Sequence, residues 1–342
     1  MNHPGETYLR RRGAADILNS MKIFDQRLRR IAALVTGLLV LIYGISAMGS
    51  GEGDNPGEDN LQLSVGLMPA VDGAPVYLAA ERGYFADEGL DLEIVLFTSG
   101  QDRQSALQTG AVDGAMSDLV ALAVNNDAGF DIKAVTLTDG VFPILATPGA
   151  ADAPMLSLGT MEVSVTNFLV DVWLSERYEL EKVWIDAIPA RLEAVISGQI
   201  DAGIFPEPFA SAGEARGLER IMFDPPEGIT PDVMAFTAAA LDEKPEAIRS
   251  FLRAYDRAVA DLAAEPDLAR DVLIRSLPML DPALRDRILL PEYRVARLPG
   301  EAYSRRIIDW TAGVIGRPLN VAPADLVDLR FLPDGAATGD AP

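Results

Sequence analysis

Cysteine is missing from all 342 residues, and histidine occurs once, at His3. Their absence from the body of the chain removes disulfides, thiolate nucleophiles, cysteine-based zinc sites and Ser-His or Cys-His catalytic pairs. A carboxylate-only metal site or an Asp/Glu glycosidase pair survives this exclusion, but the inventory argues against an enzyme. No cofactor and no metal is expected. Basic charge is also short. Against 51 Asp and Glu stand 29 Lys and Arg, a formal net charge of −22. Polyphosphate binding needs a basic face, so nucleic acid is not an expected partner. The N-terminal 49 residues hold 7 of the basic and 3 of the acidic residues, which leaves the remainder more acidic still.

Long hydrophobic runs are scarce as well. The one that stands out is Ile31–Met48, "IAALVTGLLVLIYGISAM", preceded by Arg27, Arg29 and Arg30 and followed by the polar "GSGEGDNPGEDN". A basic flank, an apolar run and small residues at Ala47 and Gly49 fit a secretory signal cleaved near Gly49. The run is also just long enough to span a bilayer as an uncleaved anchor. In both cases the arginines stay cytoplasmic and the rest is exported, to a periplasmic or extracytoplasmic location. The twenty residues before Met21 are superfluous to a signal, which makes Met21 a candidate start. No cysteine follows the run, so a diacylglyceryl-type lipoprotein is excluded.

What is present reads as α/β. Short apolar strands alternate with helical segments, the pattern of mostly parallel sheets. "LQLSVGLM" is the first strand, and "APVYLAAERG" a helix with Pro75 in its first turn and Gly83 past its end. Leu90–Phe97 forms the second strand, Asp102–Gln108 a helix and "AVDGAM" a third strand. Ser117 or Asp118 caps the helix "LVALAVNN". "DIKAVTLT" and "FPILAT" follow as strands. A second unit runs through strand "EVSV", helix "NFLVDVWLSERY", strand "VWIDAI", helix "RLEAVISG", strand "DAGIF", helix "FASAGEA" and strand "LERIMF". After "VMAFTAAAL" the chain is almost wholly helical, over 244–262, 266–276, 281–288, 300–315 and 322–329. "ALQTGAVDGAM" and "AVISGQIDAGI" share A-[LV]-x-x-G-x-[VI]-D-[GA]. This echo reflects either a recurring helix, glycine cap and strand or two similar lobes, each with a loop after its D-[GA] strand.

The stretch "GLMPAVDGAPVYLAAERGYFADEGLDLEIV" resembles the first strand–helix–strand of the ABC-importer substrate-binding proteins of the sulfonate, taurine and thiamine-pyrimidine-precursor family. The resemblance continues, in order, through "SGQDRQSALQTGAVDGAMSDLVAL", "ARLEAVISGQIDAGIFPEPFASAGEARG", "PEAIRSFLRAYDRAVADLAAEPD" and "LVDLRFLP", covering 61–333. It implies a type II periplasmic binding protein fold with a helical C-terminal part. Residues 61–145 and 234–333 would form lobe one and 146–233 lobe two, after a linker at 50–60 and before a disordered tail at 334–342. It also implies a monomer that traps a small-molecule ligand between its lobes by hinge closure and docks on an ABC permease in the membrane. The related pyrimidine synthase branch uses a Cys-rich motif and a catalytic His, and this chain departs from it at both.

In open α/β sheets ligands bind beyond the carboxyl ends of strands, which selects the candidate residues. Asp72, Gly73 and Ala74 lie at a helix N-terminus, where free N–H groups receive a polar atom. Asp72 either caps that helix or meets the ligand. Ser99, Gly100 and Gln101 repeat the arrangement after strand two. Arg103 follows in the first turn, as a bidentate clamp for an anion or as a solvated side chain. Ser117 and Asp118 end the echoed strand. In the second unit Thr166 and Asn167 open a helix, and Arg191 points at the cleft or pairs with an acid. Phe205 ends a strand, and Glu207 stands between two prolines. A carboxylate so held suits an amine or amidine-like ring nitrogen, or it is a helix N-terminal acid favoured by the dipole. Tyr77, Trp173 and Phe205 stack on a flat ligand or pack in the core. Tyr84 and Phe85 read as staples between helix and sheet. The arginines favour a sulfonate-like solute, whereas Glu207, Thr166 and Asn167 favour a nitrogenous heterocycle, the preferred reading. The alternative function is a membrane-anchored ligand sensor or scaffold on the same fold.

Overall fold

The computed structural model describes residues 61–223, 230–332 and 338–339. The expected signal or anchor over 1–49 and the linker over 50–60 lie outside the described residues. Among the described residues no helix is long and apolar enough to cross a membrane.

The first sheet is laid down by β1 (Leu61–Leu67), β2 (Leu90–Leu96), β3 (Gly114–Asp118) and β4 (Ile132–Leu137). Between them run α1 (Ala74–Glu81), α2 (Tyr84–Asp87), α3 (Gly100–Gln108) and α4 (Leu119–Asp127). The second sheet comes from β5 (Ile144–Ala146), β6 (Met155–Thr160), β7 (Glu179–Trp184), β8 (Ala202–Ile204) and β9 (Glu219–Ile221). Its helices are α5 (Val165–Leu174), α6 (Ile188–Ile196) and α7 (Phe209–Ala215). The chain then returns through β10 (Asp232–Thr237) to the helices α8 (Ala238–Glu243), α9 (Pro245–Ala264), α10 (Asp267–Ser276) and α11 (Glu301–Ile315).

The sheets are built to one plan, β2-β1-β3-β10-β4 and β7-β6-β8-β5-β9. In the first, β10 runs antiparallel between β3 and β4. In the second, β5 runs antiparallel between β8 and β9. Each lobe therefore has four strands in one direction and one reversed strand that arrives from, or returns to, the other half of the chain. This is the expected two-lobed architecture of mostly parallel sheets with a helical C-terminal part.

The helix–strand handover at Glu81–Val95 follows from local chemistry. Gly83 (φ 73°) and Gly89 (φ 66°) adopt the left-handed conformation that lets the chain leave α1 and enter β2. Leu90 is buried, and Leu92 and Ile94 pack against the same core as α9, the period-2 burial of a strand with one covered face. Tyr84 and Phe85 open α2, which packs against α1 and β2, and they also attach this turn to α9. Phe85 stacks on Phe251 with ring centroids 5.5 Å apart, and the Tyr84 hydroxyl donates to Asp261.

Several sequence expectations shift, among them the helix expected at 281–288, which is a 3-10 turn over Pro282–Arg287. "EVSV" is not a strand; β6 lies earlier, at Met155–Thr160, and Ser164 caps α5 by accepting from the Asn167 N–H. The following strand is "ELEKVW", not "VWIDAI". The terminal helix expected at 322–329 is instead two 3-10 turns, Pro323–Asp325 and Leu329–Phe331. Within 334–342, expected as a disordered tail, Thr338–Gly339 pair with Leu298–Pro299; the rest of that stretch lies outside the described residues.

Candidate functional site

A cleft with a cavity volume of about 120 Å³ lies where the carboxyl ends of both sheets converge. Met68, Ala70 and Asp72 follow β1. Thr98, Ser99, Gly100 and Arg103 follow β2, and Met116, Ser117 and Asp118 end β3. From the other lobe come Met161, Ser164, Val165 and Thr166 after β6, Asp186, Ile188 and Arg191 after β7, and Pro206 after β8. Phe142 and Asp232 enter from the two segments that cross between the lobes.

One wall is acidic. Asp72 sits in a 3-10 turn, makes no cap to α1, and accepts from the Thr138 hydroxyl at 3.1 Å. Burial raises its carboxyl to about 6. Asp118 caps α4, accepting from the Ala121 N–H at 2.9 Å, and burial raises it too, against the pull of Arg103. Asp232 lies directly across the ladder from Asp118. Burial first, then the neighbouring Asp72 and Asp118, push it well above the carboxylate range. Its Oδ2 is buried with no hydrogen-bond partner among the described residues. This wall also carries Arg103, whose Nη2 donates to Ser117 Oγ at 3.4 Å and whose Nε has no partner among the described residues. Burial lowers the Arg103 pKa, while Asp118, Asp232 and Asp72 hold it up.

The opposite wall presents Arg191, fully buried. Its Nη1 donates to the Ile185 carbonyl at 2.8 Å, and its guanidinium carbon lies 5.3 Å from the centre of the Phe205 ring. Nε and Nη2 have no partner among the described residues. Burial depresses its pKa to about 10, with Asp186 opposing. Gly159 on β6 makes the room: a Cβ there would lie 2.9 Å from Arg191 Cγ. Buried donors without partners are costly, so this side chain is shaped for an acceptor that comes from outside the chain. Ser164 and Thr166 line the cleft with their hydroxyls bonded to one another; Thr166 also accepts from the Thr160 hydroxyl, and Ser164 donates to the Met161 carbonyl.

Eight of the expected residues are thus brought together: Asp72, Ser99, Gly100, Arg103, Ser117, Asp118, Thr166 and Arg191. Six stand outside the lining. Gly73 and Ala74 are buried at the start of α1, and Gln101 is exposed. Asn167 is spent on structure, donating to the Glu162 carbonyl at 2.6 Å and accepting from Lys182 Nζ at 2.7 Å. Phe205 is buried beneath Arg191. Glu207 is fully buried and pairs with Arg220 at 2.6 Å; it also accepts from the Ser211 N–H at 3.1 Å. Sequence reasoning missed Asp232, Asp186 and Phe142. Asp186 follows the strand-end rule once β7 is placed correctly; Asp232 opens the reversed strand β10, outside that rule, and Phe142 carries no signal. Among the described residues no group of three or more His, Asp or Glu is placed to hold a metal ion.

The family model described as NMT1/THI5 like matches residues 71–138 and 173–269. The riboflavin-binding protein RibY of Chloroflexus aurantiacus is 22% identical over 313 residues, covering 82% of this chain and 88% of its own. A formylaminopyrimidine-binding protein of Halalkalibacterium halodurans is 23% identical over 256 residues, covering 70% and 78%. Among solved structures, the alkanesulfonate-binding protein SsuA of Xanthomonas axonopodis pv. citri, bound to MOPS, aligns with a TM-score of 0.65. It shares 18% identity over 80% of this chain and 99% of that one. These likenesses meet the two-sheet plan and the interlobe cleft at the same point: the chain is similar to the NMT1/THI5-like family over those two stretches and has the two-lobed periplasmic binding protein fold.

Proposed function

We propose that this protein is the solute-binding component of an ABC importer, holding a small nitrogenous solute in the interlobe cleft without altering it and passing it to a membrane permease. Ile31–Met48 would export it, as a cleaved signal or as an anchor. The observation that carries this reading is the opposed pair of unmet groups in the cleft. Among the described residues Asp232 Oδ2 is an acceptor without a donor, and Arg191 Nε and Nη2 are donors without an acceptor. A solute with an N–H edge on one side and a carbonyl, ring nitrogen or carboxylate on the other satisfies both. The surplus of carboxylates around Arg103 disfavours a simple oxyanion and favours a neutral or cationic heterocycle. Two relatives are named for riboflavin and formylaminopyrimidine, both nitrogen heterocycles, which supports the same choice. The test is a thermal-shift screen of the full-length chain in detergent against aminopyrimidines, riboflavin, taurine, alkanesulfonates and nitrate. A nitrogen heterocycle should raise the melting temperature where sulfonates and nitrate do not. Stabilisation by sulfonates alone would overturn the ligand assignment, and stabilisation by none of them would count against solute capture.

A further inference from the structure

We propose that Phe142 is a partition that sets the length of ligand the cleft accepts, closing it off from a second, larger cavity behind the interlobe crossing. The proposal rests on the cleft reading above and adds a specificity-determining residue to it. Phe142 lies on the segment between β4 and β5, and its side chain forms part of the wall of both spaces. On one side is the cleft, about 120 Å³; on the other is a cavity of about 450 Å³. A cavity of about 150 Å³ in another protein holds one benzene. On that scale the cleft takes a single six-membered ring and the second space takes considerably more.

The position of the partition is fixed by Gly140. A Cβ at residue 140 would stand 2.6 Å from Phe142 Cε2 and 2.6 Å from Asp232 Oδ2. The Phe142 ring and the unpartnered carboxylate oxygen therefore meet over the bare backbone of Gly140, the ring forming the back wall of the cleft beside the group that fixes the solute. Beyond the ring the surroundings suit a flat aromatic extension. Trp173 and Phe223 stack with centroids 5.9 Å apart and planes 15° from parallel; Val141, Leu289 and Pro291 add apolar wall, and Asp139, Glu292 and Arg294 supply charged positions in the same lining. Trp173 Nε1 is buried without a partner among the described residues, a donor ready for a carbonyl on such an extension.

Removing the ring should join the two spaces. A ligand clash at one side chain is a common means of rejecting the larger of two related solutes. The probes are riboflavin, a fused tricycle, and 4-amino-5-hydroxymethyl-2-methylpyrimidine, a single ring. Both are titrated against the full-length wild type, Phe142→Ala, Phe142→Leu and Arg191→Met in detergent. Phe142→Ala is expected to bind riboflavin at least about tenfold more tightly than wild type, with Phe142→Leu in between and no comparable gain for the pyrimidine. Should Phe142→Ala not fold by circular dichroism, Phe142→Leu carries the comparison. Equal riboflavin binding by the folded variant and wild type, whether tight or undetectable, would overturn the partition. The cleft reading fails on a different result: Arg191→Met binding either probe as wild type does.

Discussion

Asp113 holds Ser64 at three points. Its Oδ2 accepts from the Ser64 N–H at 2.7 Å and from the Ser64 hydroxyl at 3.0 Å, while its own N–H donates to Ser64 Oγ at 3.0 Å. In the other lobe Asp201 and Ser157 repeat the arrangement atom for atom, at 2.8, 2.6 and 2.9 Å. These aspartates are the D of the A-[LV]-x-x-G-x-[VI]-D-[GA] echo. The glycines of that echo, Gly110 (φ 70°) and Gly198 (φ 68°), end α3 and α6 in the left-handed conformation. The echo thus marks a clasp between β1 and the start of β3 in one lobe and between β6 and the start of β8 in the other.

Breaking the clasp should loosen a lobe without touching the cleft. Asp113 also takes Lys244 Nζ at 2.8 Å on both oxygens. Asp113→Ala is expected to lose about 2–3 kcal/mol in urea unfolding, as hydrogen bonds to a charged group are removed. Asp201→Ala, in an exposed setting, should lose less. Solute affinity measured well below the unfolding midpoint should stay at the wild-type value in both; a large loss of affinity would put the clasp inside the binding machinery.

Arg191→Met keeps the bulk and removes the unmet donors. Replacing a buried charge with an apolar side chain of similar volume is often neutral or stabilising. The ligand-free melting temperature should hold or rise, while the shift produced by a bound solute disappears. A preserved shift would show that Arg191 is a packing residue.

Acidification should stabilise the ligand-free protein through Asp72. Burial holds this carboxyl at about 6, above its ordinary 3.8, so between about pH 4 and 6 the folded chain binds more protons than the unfolded one. Stability from this group therefore falls as pH rises through that window. Asp72→Asn stays neutral and can still accept from Thr138. It should be more stable than wild type near about pH 7.5, by about 2–3 kcal/mol, with the two profiles converging near about pH 4. Parallel profiles across the whole range would rule this out.

Glu207→Ala should act on stability, not on solute recognition. It strips Arg220 of its buried partner, and Arg220 keeps only Glu214 and Ser211. A loss of about 3 kcal/mol is expected, read by chemical unfolding. The folded fraction should bind solute normally, and a selective loss of binding with unchanged stability would return Glu207 to the site.

Much of the fold was legible because local rules sufficed. The alternation of Leu90, Leu92 and Ile94, the glycine stops and the Pro75 start each declare an element within a few residues. The strand-end rule likewise reaches Asp72, Ser99, Arg103 and Asp118, which line the cavity. Local rules also mislead. "EVSV" alternates like a strand, yet it is the approach to a helix capped by Ser164, because β6 is paired on both sides by β7 and β8. Glu207 stands buried between two prolines, but its partner Arg220 arrives from β9. Asp232 faces Asp118 only through the register of a reversed strand, a long-range pairing that spacing along the chain does not encode.

That reversed strand limits how the molecule can be taken apart. β10 lies between β3 and β4, yet the chain supplies it only after β5–β9 have completed the second sheet, so the first sheet is assembled from two separate stretches of chain and the second from one. A fragment ending before Asp232 would leave β3 and β4 each with a bare edge, a template for aggregation. Cutting the gene between β9 and β10 would separate β10 from the two strands it joins, so the first sheet could close only if both fragments were co-expressed.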